Sequence, residues 1–480
     1  RPVRRHYYGQ AIVMNPAGKP SIAVDRTEDG YALIFRARSY PVAYPKEVWN
    51  SVPERERDLL TDNLAYAATM HLPMKMPGLS GLSYMTTRPL FEPYFRHNML
   101  QDIPSCCDVD GSDIGLGIER FLGLEYSFAS DDIRRPGTWP LPSSRPAGAI
   151  VPLTFGKDSL LTFALAEELG LRPKGAFVDE PSFGRERHHK EILSRRMKDE
   201  FGHELVIVDH QSGMLRDSEH LGTEPDEYGW GLQSTEYALL MLPLARYWGA
   251  DFILFGNEQT AAVTYRDKED RWTVHPCYDQ SHDWTRHIDA MTSQLTDPYP
   301  VRTGSLIEPL MDLMVQRILV KRYPRYAALQ MSCFAEGEAG RDSRWCHECD
   351  ICAKMYLMCV ASGVDPSMVG FRRSMLKSSD RRFFTLLGGS SRFPYSRTSA
   401  SRDEQLFAFS LAAGFGSDEA LVREFRNSPL RDEALERGGE LLDRFVSIHS
   451  SDTVPSAVRE QTLKIFQKEI ADFRRCCEAL

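Results

Sequence analysis

A chain of 480 residues is long enough for two to four domains, and 42% hydrophobic residues supply a sizeable core. A net charge of −9 and a pI near 5.9 argue against nucleic acid as the main partner, because a nucleic-acid surface is usually basic; a local basic pocket stays open. The opening RPVRRHYYGQ lacks the apolar run of a signal peptide, and the greasiest stretch, Tyr237–Trp248, carries Pro243 and Arg246 and is shorter than the roughly 20 apolar residues of a membrane span, so a soluble cytoplasmic protein is expected.

Residues 1–147 read as an N-terminal α+β domain. Strand-like pieces (QAIVMN, YALIFRARSY) precede a helix at SVPERERDLL, where Ser51 and Glu54 fit a capping box and Pro53 suits a first turn. The segment Met74–Tyr94 is rich in Pro, Gly and Ser and reads as an exposed loop. The proline-rich Arg134–Gly148 marks a boundary. Residues 148–370 then alternate strand and helix: AIVPLTF and Leu160–Leu169, GAFV and Arg185–Phe201, ELVIV and Leu232–Trp248, then DFILFG. This alternation predicts an α/β fold with a doubly wound parallel sheet, and the loops at 156–159, 179–183, 209–213 and 256–260 should share one face. Residues 371–480 read as a helical region after a Ser/Arg/Gly-rich connection; Ser401 with Glu404 fits a second capping box, and Pro455 can open the last helix.

The stretch Val151–Leu161, VPLTFGKDSLL, looks like a phosphate loop. It is not a Walker loop, since Gly156-Lys157 is followed by Asp158. Ser159 lies at a helix start whose unpaired amides and positive dipole end can hold phosphate. Gly156 lets the backbone come close and Lys157 neutralises charge. Asp158 beside a polyanion makes sense when a divalent cation lies between them. Thr154, Phe155, Gly156, Lys157, Asp158 and Ser159 resemble the PP-loop of the ATP pyrophosphatases, Ser-Gly-Gly-x-Asp-Ser, with Thr and Phe at the first two small positions. The alternative is a helix cap with a chance Asp-Ser. The resemblance implies cleavage of ATP between the α- and β-phosphates, hence adenylation of a substrate. Val178, Asp179 and Glu180, with Gly256, Asn257 and Glu258, end later strands and are expected to complete the ATP site; Glu258 could help hold magnesium.

Cys333, Cys346, Cys349 and Cys352 can form a tetrahedral zinc site; reduced core cysteines are the alternative. His275–His287, HPCYDQSHDWTRH, gathers proton-transfer side chains, among them Cys277, Asp279, His282 and Asp283, though surface residues would look the same.

Together TFGKDS, FVDEPS, FGNEQT, YDQSHDW and the cysteine cluster resemble the MurL family, ATP-dependent UDP-N-acetylmuramoyl-L-alanyl-L-glutamate epimerases of peptidoglycan synthesis. The resemblance covers residues 149–365, and the flanks only by layout. It implies ATP and Mg2+ as cofactors, with structural Zn2+, and UDP-MurNAc-L-Ala-L-Glu as substrate. No membrane or nucleic-acid partner is expected. The catalytic candidates are Asp158, with Cys277 and His282 as bases and Asp279 as orienting partner. Another PP-loop enzyme, such as a deazapurine nitrile synthase or a tRNA-base modifier, and a non-catalytic nucleotide-binding protein remain as rival readings.

Overall fold

The computed structural model describes residues 19–142, 145, 148–181, 184–335, 338–391 and 394–478. The basic opening and the run QAIVMN lie outside them. So do parts of the proline-rich stretch, of the 179–183 loop and of the Ser/Arg/Gly-rich connection.

The fold is α/β, with helices around one large, mostly parallel sheet. Its strands are β1 (Ser21–Arg26), β2 (Gly30–Phe35), β3 (Arg38–Ala43), β4 (Gly81–Arg88), β5 (Glu125–Ile133), β6 (Ala149–Pro152), β7 (Pro173–Asp179), β8 (Val206–His210), β9 (Phe252–Leu254) and β12 (Arg302–Gly304). A separate small hairpin pairs β10 (Tyr265–Arg266) with β11 (Thr273–Val274). The large sheet runs β12-β9-β6-β7-β8-β3-β2-β1-β4-β5.

The five strands β12-β9-β6-β7-β8 are parallel. Helices cover both of their faces, which is why β6 is buried throughout. Ala149, Val151 and Leu153 join one core with the helices Lys157–Glu168, Gly184–Phe201 and Asp312–Arg322. Ile150 points the other way, into a core shared with the helices Gln233–Trp248 and His282–Leu295.

The N-terminal strands continue this sheet. β3 pairs antiparallel with β8 through Val42–His210 and Ala43–Asp209. The run YALIFRARSY is two strands: Arg36 and Ala37, at φ 51° and 60°, turn β2 into β3. Two consecutive left-handed residues suit a tight hairpin, but they lack the Asn-Gly letters that announce one.

Three local expectations are corrected. Ser51 ends a short helix, Lys46–Ser51, and its hydroxyl donates to the Val48 carbonyl at 2.7 Å. No capping box forms with Glu54; Pro53 stands at the N-cap of the helix Glu54–Ala67. Met74–Tyr94 is not an exposed loop but carries β4 and opens the helix Glu92–Asp110, with Met74, Met76, Leu82 and Tyr84 buried. Its small polar residues disguise a strand anchored by Tyr84, whose ring stacks 5.4 Å from that of Phe128. Ser401 does not cap its helix; the Thr398 side chain accepts from the Ser401 amide at 3.0 Å instead. The last helix is Arg459–Glu478, and Pro455 lies in the turn before it. Among the described residues no helix is long and apolar enough to cross a membrane.

A fully buried ionic network locks the ends of β7 and β8 to the helix Gln233–Trp248. The Arg216 guanidinium bonds the carboxylates of both Glu180 and Glu236. His210 reaches the same two, at 2.9 Å and 3.2 Å, and Tyr237 donates to Glu180 at 3.0 Å. Burial alone would raise the Glu180 carboxyl, but Arg216 and His210 outweigh it and hold it down at about 2. With its folded value depressed, Glu180 contributes stability that is intact above its ordinary value of 4.5 and is lost as the pH falls toward about 2. Arg216→Met strands two buried carboxylates, so urea unfolding should show a loss of about 3–5 kcal/mol.

Candidate functional site

β7 and β8 follow β6 outward on one side, whereas β9 and β12 lie on the other. The order therefore reverses between β6 and β9, and a crevice opens beyond the carboxyl ends of those two strands.

The loop leaving β6 enters this crevice. Thr154 is exposed. Phe155 takes φ 60° with its ring wholly buried, and its carbonyl accepts from the Met331 amide at 2.7 Å. A bulky residue rarely holds this left-handed conformation; core packing of the ring and the Met331 bond hold it here. Gly156 then opens the helix Lys157–Glu168 with no cap of its own, and the Lys157 amide donates to the Ser332 hydroxyl at 3.4 Å. The Ser159 hydroxyl closes the turn, accepting from the Thr154 amide at 3.3 Å and donating to the Gly156 carbonyl at 3.2 Å.

Across the crevice, the loop after β9 packs directly on this turn. A Cβ at Gly256 would sit 2.8 Å from Asp158 Cβ and 2.9 Å from its carbonyl carbon, so only glycine allows the approach. The approach brings Glu258 beside Asp158. The helix Asp312–Arg322 supplies the third acid, and one oxygen each of Asp158, Glu258 and Asp312 lie within 4.8 Å of one another. Lys157 bonds Asp158 and Asp312; Lys354 bonds Asp312 and stands 3.3 Å from Glu404.

Burial drives the titration of this cluster. It raises Asp158 against the pull of Lys157 and lifts Glu258 to about 8, with Asp312 adding to the effect. Burial would raise Asp312 too, but the two lysines outweigh it and hold that carboxyl well below the usual range.

The cluster lies in a cavity of about 450 Å³ whose wall comes from all three regions of the chain. The N-terminal helix Glu92–Asp110 contributes Asp102 and Cys106, and the C-terminal region contributes Tyr395 and Glu404. Of the candidate catalytic and ATP-binding residues named from the sequence, Lys157, Asp158, Glu258, Cys277 and Asp279 line it. Thr154, Phe155, Gly156 and Ser159 form the turn beside it.

Others are placed elsewhere. Val178 packs in the core, Asp179 pairs with Arg187 at 3.0 Å, and Glu180 is held in the ionic network. Asn257 donates to the Thr285 hydroxyl at 3.0 Å. His282 faces Glu308 at 3.5 Å and does not line the cavity. The Cys277 thiol does, but burial, with Asp279 and Glu258 nearby, pushes it up to about 12, so it stays protonated at neutral pH.

Asp312, Lys354 and Asp102 were not singled out in the sequence, and Glu404 only as half of a helix cap. Asp312 opens an apolar helix soon after a strand end, a position that could have been flagged. Lys354 lies inside a helix with no motif around it, and the capping letters around Glu404 point to a helix start and not to a site.

The four cysteines converge as expected. Sγ–Sγ separations are 3.9 Å for Cys333–Cys349 and 3.8 Å for Cys346–Cys352, and all four sulfurs lie within 4.8 Å of one another. Four sulfurs at zinc's usual ~2.3 Å from a common centre stand about 3.8 Å apart. Backbone amides already point at the sulfurs: Ala335 to Cys333, Glu348 to Cys346 and Cys352 to Cys349, at 3.3–3.4 Å. Such donors favour thiolates. The cluster can bind a structural metal such as zinc.

No family model, curated protein or solved structure matches the chain.

Proposed function

We propose that the chain is an ATP-dependent epimerase of PP-loop type. It would adenylate the α-carboxylate of the terminal L-Glu of UDP-MurNAc-L-Ala-L-Glu with release of pyrophosphate, invert the α-carbon to D, and release AMP when water cleaves the mixed anhydride, serving peptidoglycan synthesis. One observation carries the reading: a glycine-opened, lysine-bearing helix start and three converging carboxylates meet at the strand-order reversal, inside a cavity. Phe155 adds support, because it adopts the left-handed conformation that a glycine at that position of the PP-loop would take freely.

In this reading the first amides of the helix Lys157–Glu168 and the Lys157 ammonium bind phosphate oxygens. Asp158, Glu258 and Asp312 would hold magnesium, which when bound offsets phosphate charge. Adenylation serves the inversion. The α-proton beside a carboxylate is too weakly acidic for an ordinary side chain to remove, and an acyl-adenylate makes it far more acidic.

The test is ATP consumption with UDP-MurNAc-L-Ala-L-Glu, with AMP measured and the glutamate analysed on a chiral column. AMP together with D-Glu is expected. ATP binding without AMP would return the chain to the non-catalytic reading, and AMP without inversion to another adenylating enzyme. Gly256→Ala would push the β9 loop off Asp158, so ATP affinity by calorimetry should fall about tenfold, equivalent to ~1.4 kcal/mol, with the circular dichroism spectrum unchanged.

A further inference from the structure

We propose that Asp102 and Asp279 are the carboxyls that move the α-proton of the activated substrate, one removing it and the other returning a proton on the opposite face. This rests on the adenylation reading above.

Both carboxyls line the cavity that holds the acid–lysine cluster, yet they come from other elements. Asp102 belongs to the helix Glu92–Asp110 and Asp279 to the turn Tyr278–Gln280. Both are buried, at 8% and 7% exposure, and each is fixed in place. Asp279 accepts from the Ser234 hydroxyl at 2.7 Å. Asp102 accepts from the Cys106 thiol at 3.4 Å and is pressed so close to the chain that a Cβ on Gly231 would stand 2.2 Å from its Oδ1.

Their surroundings differ from those of Asp158 and Asp312 in one decisive way. Those two have lysine partners, whereas among the described residues neither Asp102 nor Asp279 forms an ion pair. A buried carboxyl not paired with a cation can exist in either protonation state near neutrality, as a proton carrier must. Burial lifts Asp102 to about 7, with Asp279 adding to the effect, and lifts Asp279 to about 6. Cys277 stays protonated and His282 lies outside the cavity wall, so neither competes for the role of base. Glu404 lines the same wall at 2% exposure, and among the described residues its Oε1 has no hydrogen-bond partner.

The step balances between the two groups. The ionised carboxylate takes the α-hydrogen as a proton, and the C–H electron pair passes into the enolate of the acyl-adenylate. The protonated carboxyl then gives its proton to the opposite face, and the electron pair reforms a C–H bond. One group ends protonated and the other ionised, and exchange with water restores the starting pair.

The experiment compares Asp102→Asn and Asp279→Asn with the unsubstituted chain in deuterated water, with ATP, magnesium and UDP-MurNAc-L-Ala-L-Glu. It reads deuterated D-Glu by mass spectrometry and adenylation by exchange of labelled pyrophosphate into ATP. Each variant is expected to lose at least about 100-fold in deuterated D-Glu while pyrophosphate exchange stays within about threefold. Asp102→Ser, smaller beside Gly231, replaces Asp102→Asn should that variant melt more than a few degrees lower. Deuterated D-Glu within tenfold of the unsubstituted level in either variant overturns the assignment. So does loss of both activities together, which would make the carboxyls binding groups. Failure of the underlying reading shows separately, as an unsubstituted chain with no pyrophosphate exchange.

Discussion

Asp158→Asn is expected to lower AMP release by about 10²–10³-fold and to leave the melting temperature within a few degrees. The side chain is one-third exposed and packs little. Its partner Lys157 keeps a second carboxylate, that of Asp312, so the substitution strands no buried charge. The asparagine amide keeps the size but loses the charge that would hold a cation against phosphate. Loss of activity would then come from the chemistry and not from unfolding, and a thermal melt run beside the AMP assay separates the two. Unchanged AMP release would remove Asp158 from the metal site and leave Glu258 and Asp312 too few for it.

Cys352→Ser is expected to act on the fold first. Elemental analysis of protein purified without chelator should give about one zinc per chain, and the variant close to none. Metal bound only by the folded state, at about a thousand times its dissociation constant, stabilises by ~4 kcal/mol. For a protein of this size that corresponds to a melting point lower by roughly 4 °C. The segment at risk is well defined. The helix Asp350–Ala361 begins at the cluster, with Cys349 as its N-cap, and carries Lys354 into the cavity. Losing the metal should therefore weaken ATP binding as well, although no cysteine of the cluster lines the cavity.

What the sequence showed and what it hid follow from the range of the interactions. The strand–helix alternation from residue 149 is a local signal repeated several times, so the parallel half of the sheet was legible. The Cys346-x2-Cys349-x2-Cys352 spacing was legible because its ligands are near neighbours in the chain. The hairpin at Arg36–Ala37 was not, because the conformation comes from strand pairing and not from turn-forming residues. Asp312, Lys354 and Glu404 were not, because they reach the cavity from helices far apart in sequence. Asp102 lies in a helix that read as part of a separate N-terminal domain. Only the shared sheet and the packed helices bring it to the wall of the cavity.

The seam between β3 and β8 bears on what a fragment of this protein could be. Cutting at the proline-rich stretch would bare one edge of each strand, and with it the two pairings Val42–His210 and Ala43–Asp209. It would also divide a single apolar core, in which Trp49 and Leu64 share a cluster with Ala238 and Leu242. Open edges and greasy faces attract other chains. The pieces 19–142 and 148–478, expressed apart, should therefore aggregate. Expressed together, they should find each other and co-purify as a split protein whose halves complement.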